Sequence, residues 1–272
     1  MAERAIIGLT DWLKTPAGCY VLQWEQTHLD TAVADLFGFH ALQLGLPELD
    51  ALRSNRMPHR WVATETTATP PLADGDPPAP PRAAIALHCD FDALPFDSNS
   101  LDLVVLPHAL ELARDPHLAL REVERVLVPE GRVVIVGFNP ASLWGLRQLL
   151  GRWRQLLPWR SRQSLFLPSA GEFMRYRRLR DWLRLLSFEV EAGRFGCYRP
   201  PVAAQKWLTR FTWMERAGER WWPVFGAVYF VVAVKRVRGM RLVGLVRAQR
   251  KPAHAPVPVV VTHHNNIERD SE

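Results

Sequence analysis

The chain contains little cysteine, and its few cysteines are poorly placed for cross-linking or metal binding. Cys19, Cys89 and Cys197 are odd in number and far apart, and no Cys-x-x-Cys pair occurs among the 272 residues. This spacing indicates neither a disulfide framework nor a zinc site. We therefore expect a reducing compartment, the cytoplasm.

Features typical of membrane spans and dinucleotide sites are also missing. The uncharged run 221–234 is too short to cross a bilayer as a helix, and its β-branched and aromatic residues favour a buried strand. Glu3, Arg4 and Asp11 argue against a signal peptide. The absence of a Gly-x-Gly-x-x-Gly fingerprint argues against a nicotinamide-dependent dehydrogenase, because the cofactor's pyrophosphate needs that loop.

Acidic residues are absent from one long part of the sequence. No Asp or Glu occurs from Gly131 to Gly171, and the whole chain has a net charge of +6 and a pI of about 9.6. Such a balance attracts nucleic acid or anionic membrane, or it reflects composition alone.

The stretch 84–137 shows the clearest organisation. Asp115 predicts a helix N-cap and Pro116 a first helical residue, and the helix ends before Pro129-Glu130-Gly131. Apolar strands that do not alternate and are joined by a helix of about a dozen residues indicate parallel pairing with both faces buried. The pattern predicts an α/β fold with strands at 84–87, 101–106 and 132–136.

Three segments of this stretch carry a resemblance to a known family. They are Asp90–Phe96 (DFDALPF), Leu101–Val105 (LDLVV) and Glu122–Arg132 (EVERVLVPEGR). In this order they resemble the middle of the class I S-adenosylmethionine-dependent methyltransferases, most of all the branch that methylates small molecules and quinones. The resemblance implies a Rossmann-like seven-stranded mixed sheet with helices on both faces, and S-adenosyl-L-methionine as the cofactor.

Composition suggests how the rest of the chain is divided. We predict an N-terminal helical cover at 1–35, a methyltransferase domain at 36–248 and a disordered tail at 249–272. Within the domain, the proline-rich loop 66–82 cannot form the usual helix between the second and third strands, and 140–168 is a basic amphipathic insertion. The helices of 1–35 either cover the cofactor, as in the resembled family, or pack on the sheet.

The segment 39–47 takes the place of the first strand and its cofactor loop. Where the resembled family has an acidic residue followed by spaced glycines, this chain has Gln43, keeps Gly45 and has Pro47 at the second glycine. Glycine lets the backbone approach a ligand closely, whereas proline removes a donor and fixes φ. Gln43 could still accept a hydrogen bond from the cofactor's ammonium group, without the charge of a carboxylate. We expect weaker or altered cofactor binding.

Four further candidates for cofactor binding lie at the ends of predicted strands. Glu65 follows the second strand, 60–64, where a carboxylate holds ribose hydroxyls in nucleotide-binding folds, or it is simply solvated. The resemblance places Asp90 on the adenine amino group and Phe91 on the adenine ring; the less favoured alternative for Asp90 is an ordinary aspartate that caps a turn. Leu106 ends the fourth strand, at the crevice where ligands collect in open α/β sheets.

His108 is the candidate catalytic residue. It closes the fourth strand at the same crevice, and a histidine that titrates near neutrality suits removal of a proton from a nucleophile. The alternative is a capping residue before the turn 109–112, and the sequence leaves both open.

The segment 143–162 is rich in arginine, leucine and tryptophan at helical spacing. Such a helix suits peripheral contact with an anionic membrane, a lid over the substrate, as in the resembled branch, or plain packing. A second basic helix is predicted at 169–186 from a capping box of Ser169 and Glu172. Nucleic-acid binding is the weaker prediction, because these arginines lack the spaced glycines and stacking aromatics of single-strand platforms.

Together these features predict an S-adenosylmethionine-dependent methyltransferase acting on a small, hydrophobic or lipid-like molecule. We expect it in the cytoplasm, with a peripheral position on the inner face of the membrane as one option. The alternative is a catalytically degenerate protein of the same fold that serves as a binding or scaffold protein. Gln43 and Pro47 favour that alternative, and the Asp90-Phe91 pair opposes it.

Overall fold

A mixed sheet forms the centre of the protein in the computed structural model, which describes residues 2–65, 84–155, 166–168 and 173–237. Within these ranges seven strands occur: β1 His40–Leu44, β2 His59–Thr64, β3 Leu87–His88, β4 Leu101–Pro107, β5 Leu127–Phe138, β6 Phe188–Gly196 and β7 Val228–Lys235. Their spatial order is β3-β2-β1-β4-β5-β7-β6. β7 is antiparallel to β5 and β6, and the other pairs are parallel. The predicted Rossmann-like seven-stranded mixed sheet is confirmed.

Helices precede and connect the strands. The described ranges contain α1 Ala2–Leu13, α2 Pro16–Ala34, α3 Ala109–Leu112, α4 Pro116–Val126, α5 Leu143–Gln155, α6 Tyr176–Leu185, α7 Gln205–Arg210 and α8 Trp213–Trp221, together with a 3-10 turn at Pro223–Phe225. None of these helices is long and apolar enough to cross a bilayer.

The first two helices cover one face of the sheet. Thr15 separates them, and its hydroxyl accepts a hydrogen bond from Gly18 N–H at 3.2 Å, with Pro16 at the first turn of α2. The buried positions of α2 recur every four residues and pack with the sheet residues Ala41, Leu103, Val105, Val134 and Val136. This helical spacing gives α2 a single stripe of buried side chains that faces the sheet.

Helices α4 and α6 cover the opposite face. The Asp115 carboxylate accepts hydrogen bonds from the N–H groups of His117 at 2.9 Å and Leu118 at 3.1 Å, so the predicted cap is confirmed. The inward side chains of these two helices join one apolar cluster with the sheet; among them are Leu120, Val123, Leu179 and Leu183. Helices therefore lie on both faces, as predicted.

Three predicted boundaries were wrong. Strand β5 begins at Leu127, so it runs through the predicted stop Pro129-Glu130-Gly131 and does not begin at 132. Helix α6 begins at Tyr176, after an Arg175 that makes no side-chain cap, and not at Ser169; the predicted capping-box residues 169–172 lie outside the described residues. The third strand is only Leu87–His88, because 84–86 is exposed at the sheet edge, although Ala86 N–H still donates to Val62 O at 2.8 Å. Short edge strands of this kind limit unwanted pairing.

Several predicted features fall outside the described residues. These are the proline-rich loop 66–82, the tail 249–272 and the part of the basic segment from 156 to 162.

Candidate functional site

The carboxyl ends of β1, β2, β3 and β4 meet at one edge of the sheet. Because these strands are parallel, the residues that follow them share that edge, and β1 pairs with both β2 and β4 at the point where the chain order reverses. Ligands of open α/β sheets bind at such a point. The candidates at this edge are Gly45, Glu65, Asp90, Phe91, Leu106 and His108.

Gly45 turns the chain away from β1 in a left-handed conformation. Its φ is +79°, and its N–H donates to Ala63 O at 2.7 Å. A Cβ at this position would lie 3.6 Å from both Phe91 Cζ and Ala109 Cβ, so the structure brings Gly45 and Phe91 together. The backbone at Gly45 is therefore free of side-chain bulk beside an aromatic ring, which is the property that close approach to a ligand needs.

Gln43 has partners that the sequence did not reveal. Its fully buried Nε2 lies within hydrogen-bond distance of the carbonyls of Gly45 (3.1 Å), Leu46 (3.0 Å) and Leu49 (2.7 Å), and its Oε1 accepts from Ala51 N–H at 2.9 Å. The amide thus holds the whole loop 45–51 against the end of β1. A direct contact between Gln43 and the cofactor's ammonium stays a prediction, and this geometry favours a supporting role instead.

Glu65 and Asp90 bring negative charge to the same edge. Burial raises the pKa of the Glu65 carboxyl, the charge of Asp90 adds to the rise, and Arg114 opposes it. Burial followed by the charges of Asp90 and Glu65 raises the pKa of Cys89 to about 11. Among the described residues, the buried Glu65 Oε2 has no hydrogen-bond partner. A buried acceptor without a partner fits a ligand that carries hydroxyl groups.

Leu106 and Phe91 lie in the apolar core below this edge, with 1% and 4% of their surfaces exposed. Both are buried, and they share one cluster with Ala109 and Leu110. Asp90, in contrast, is exposed, and its carbonyl accepts from Ala93 N–H at 3.2 Å in a turn. An apolar floor with carboxylates at its rim suits a ligand that has both a flat ring and hydroxyl groups.

His108 is fully buried between two glutamates. Its Nδ1 lies 2.8 Å from Glu111 Oε2, and its Nε2 lies 2.8 Å from Glu25 Oε1. The other oxygen of Glu111 accepts from Phe138 N–H. Because the pKa of His108 is raised to about 10, the ring is protonated near neutral pH and both of its nitrogens donate to the two carboxylates.

Charge explains the protonation of His108. Burial alone would lower the pKa of His108, but the charges of Glu25 and Glu111 and the hydrogen bonds to both raise it to about 10. Burial raises the pKa of Glu111, with His108 and the Phe138 N–H opposing the rise. With no free lone pair, the ring has nothing with which to accept a substrate proton. The assignment of His108 as a base stays a prediction, and this geometry argues against it.

Glu25 and Glu111 support the site although the sequence alone does not indicate them. Glu25 occupies the buried stripe of α2 between Val21 and Leu29, and a glutamate on an apolar stripe is a signal for a buried partner. Close to Glu111 lies Tyr229, whose buried hydroxyl has no partner within the described ranges and whose pKa is raised by burial and by Glu111.

The described residues contain no cluster of side chains suited to bind a metal ion. Within the described ranges, no group of three or more His, Cys, Asp or Glu side chains could hold a metal ion.

The sheet order and the ligand edge together define an open Rossmann-like α/β protein of the class I methyltransferase type. A family model described as a methyltransferase domain matches residues 66–135. The uncharacterized protein YafS of Escherichia coli (strain K12) is 30% identical over 253 residues, which is 92% of this chain and 90% of YafS.

Two more comparisons agree with this class. The malonyl-[acyl-carrier protein] O-methyltransferase of Halorhodospira halophila is 41% identical over 76 residues, 28% of this chain and 24% of that protein. The solved structure of an S-adenosylmethionine-dependent methyltransferase from Thermotoga maritima, a possible histamine N-methyltransferase, superposes with a TM-score of 0.52 at 14% identity, over 80% of this chain and 92% of that one. The chain belongs to the class I S-adenosylmethionine-dependent methyltransferase family.

Proposed function

We propose that this protein binds S-adenosyl-L-methionine at the carboxyl edge of β1 to β4 and methylates a small, hydrophobic molecule. The observation that carries the proposal is the pairing of an open glycine turn with an unpartnered carboxylate: Gly45 faces Phe91, and the neighbouring Glu65 Oε2 lacks a hydrogen-bond partner among the described residues.

Each residue at the edge has a role that matches its chemistry. Glu65 would accept hydrogen bonds from the ribose hydroxyls, Asp90 would accept from the adenine amino group, and Phe91 and Leu106 would pack on the apolar ring. Gly45 would let the backbone approach the methionine part of the cofactor. Gln43 would hold the loop 45–51 in place by its hydrogen bonds, and so would support the site without touching the ligand.

When bound, the cofactor supplies an activated methyl group on a positive sulfur. The protein then has mainly to orient the accepting atom and exclude water. A histidine base is not required for this, which agrees with the buried imidazolium of His108. We infer that His108 is a positioning residue, since its two carboxylate partners fasten α2 and α3 to the end of β4.

The substrate class is supported by similarity and by the sequence. The Halorhodospira relative is named for methyl transfer to the malonyl group of an acyl-carrier protein, and the segments around 90–132 resemble the branch that acts on small molecules and quinones. We propose a small molecule with a large apolar part as the acceptor.

A binding or scaffold protein is the second candidate. It is favoured by Gln43, whose amide already has hydrogen-bond partners within the chain, and by Pro47. These two residues stand where the resembled family has an acidic residue and a glycine. The two candidates differ in one outcome, because only the enzyme transfers a methyl group.

Thermal unfolding of the full chain with S-adenosylmethionine, and with its demethylated product, tests the proposal. A ligand at a hundred times its dissociation constant adds about 2.7 kcal/mol, or on the order of 5–10 °C. We expect both ligands to stabilise the protein, Glu65→Gln to reduce the shift, and Asp97→Asn, an exposed turn residue, to leave it unchanged. Transfer of labelled methyl into an organic extract then separates enzyme from scaffold. No shift with either ligand would overturn the cofactor site.

A further inference from the structure

Helix α5 presents an unusually apolar surface to solvent. Leu143, Leu146, Leu149 and Leu150 are 50–54% exposed, and Trp153 is 69% exposed. The same helix buries only its opposite side, where Trp144 packs in the core and its Nε1 donates to Arg199 O at 2.6 Å. The helix is therefore firmly attached, and its outer leucines and tryptophan are left without a covering element in the described part of the chain.

A second exposed segment continues this surface. Trp222, Val224 and Phe225 are each 55% exposed, and Asn139 Nδ2 holds them in place by donating to Val224 O at 2.8 Å and to Gly226 O at 3.0 Å. Phe225 and α5 line one groove of about 630 Å³ together with Phe173, Arg152 and Arg175. We call the exposed side chains of α5 and of 222–225 the α5 surface.

The charged side chains that line the groove of the α5 surface, Arg152 and Arg175, are both basic. No acidic residue occurs from Gly131 to Gly171 or from 220 to 237. Arg152 lines the groove, and within the described ranges no carboxylate pairs with it or with Arg175. An apolar surface bordered by cations of this kind is complementary to a layer with apolar chains below anionic headgroups.

We propose that the α5 surface docks on an anionic lipid bilayer. Leucines and Trp153 enter the boundary between headgroups and acyl chains, where tryptophan is enriched, and Arg152 and Arg175 reach the phosphates. A second copy of the chain is a poor occupant, because two surfaces of the same positive sign repel each other. Nucleic acid would satisfy the arginines and leave the leucines in water.

The α5 surface lies at the same edge of the sheet as the candidate cofactor site. Helix α5 and the segment 222–225 lie at the carboxyl end of β5, on the edge of the sheet that also carries Gly45, Glu65 and Asp90. Docking would bring that edge to the bilayer, where a hydrophobic molecule is dissolved. The docking itself depends on no bound cofactor and no methyl transfer, so it is tested separately from the proposed function.

Co-sedimentation of the full chain with vesicles tests the docking. We expect binding to phosphatidylcholine vesicles that contain phosphatidylglycerol, weaker binding to phosphatidylcholine alone, and release at high salt. Arg152→Glu should weaken binding by about 30-fold, because charge reversal changes the attraction by two elementary charges. Leu146→Ser combined with Trp153→Ser should abolish it.

The controls are exposed residues of the same types elsewhere on the fold. Phe37→Ser, at the amino end of the sheet, and Arg121→Glu, on α4, should bind vesicles like the unaltered chain. Circular dichroism shows that each variant is folded. The proposal is overturned if anionic vesicles do not bind the chain, or if the controls lose binding as strongly as the α5 variants. It is also overturned if sedimentation velocity shows a dimer that Leu146→Ser and Trp153→Ser dissociate.

Discussion

His108 Nε2 lies 2.8 Å from Glu25 Oε1, in a contact that spans 83 positions of sequence and leaves both side chains without solvent exposure. The contact connects the end of β4 to the middle of α2. The positive charge of His108 at the crevice edge is thus balanced by Glu25 of helix α2, which precedes the sheet in the chain. This arrangement makes the N-terminal helices part of the site's support.

Removal of Glu25 should destabilise the fold strongly. Glu25→Ala leaves His108 paired with Glu111 but takes away the acceptor of its buried Nε2–H, so we expect the free energy of unfolding to fall by about 2–3 kcal/mol. Urea denaturation measures this change in the free energy of unfolding. Gln23→Ala, on the exposed side of the same helix, should change stability by less than about 0.5 kcal/mol. Equal losses for the two variants would mean that the contact contributes nothing.

The same contact predicts a loss of stability in alkaline solution. Folded His108, with a pKa of about 10, holds its proton more tightly than the unfolded side chain, with an ordinary value of 6.5. Its contribution is therefore complete below pH 6.5 and is lost as the pH rises toward about 10. We expect the unfolding free energy to fall over this window in the natural chain and to fall less in His108→Gln. Parallel pH profiles of the two proteins would contradict the prediction.

A substitution toward the resembled family's residue should be harmful at position 43. Gln43 Nε2 faces three carbonyl oxygens, and a glutamate there could not donate to them. Unpaired buried acceptors cost about 1–3 kcal/mol each, so we expect Gln43→Glu to lower stability by at least about 2 kcal/mol. Gln23→Glu, on the exposed side of α2, is the matched control. If Gln43→Glu were as stable as the natural chain, the loop would not depend on the amide.

The sequence was sufficient to predict the strand ends and the helix after Asp115. It was not sufficient to predict contacts between residues that are distant in the chain. Strand ends at 44, 64 and 107 follow from local apolar runs and polar stops, and the helix after Asp115 follows from a cap followed by proline, because these signals act between near neighbours. They placed Gly45, Glu65 and Asp90 at one edge.

The partners of Gln43 and His108 could not be predicted in the same way. Gln43 bonds a loop whose path depends on tertiary packing, and His108 meets a glutamate from a helix in another part of the chain. Local spacing contains no information about which helix covers which strand end. The start of α6 was also misplaced, since residues 173–175, which a helix from Ser169 would include, are not helical.

Gly45→Ala should separate ligand binding from folding. A φ of +79° is strained for alanine and costs about 1–2 kcal/mol, whereas the added Cβ would meet Phe91 and Ala109 at ordinary distances of 3.6 Å. We expect a modest loss of stability in urea and a larger loss of the thermal shift given by S-adenosylmethionine. Gly8→Ala, where a Cβ would meet nothing within 4 Å, should leave ligand binding unchanged. An unchanged shift in Gly45→Ala would remove Gly45 from the site.

Glu215 predicts a second pH dependence, in the acid to neutral range. Burial, with a contribution from Glu219, raises the pKa of Glu215 to about 7, although its carboxylate accepts from Tyr198 N–H at 3.5 Å and lies 3.6 Å from Arg199 Nε. A carboxyl whose pKa is raised on folding stabilises the fold below its unfolded value of 4.5, and that contribution disappears as the pH rises through about 7.

Glu215→Gln keeps an acceptor for Tyr198 N–H and removes the ionisation, so its stability should exceed that of the natural chain at pH 8 and match it near pH 5. Urea unfolding at both pH values measures the difference, and Asp35→Asn, at the exposed end of α2, serves as the control. A gain at pH 5 that equals the gain at pH 8 would show that the carboxyl does not titrate between them. A gain confined to pH 8 would show that the buried Glu215 carboxyl lowers the stability of the fold once it ionises, despite its position 3.6 Å from Arg199 Nε.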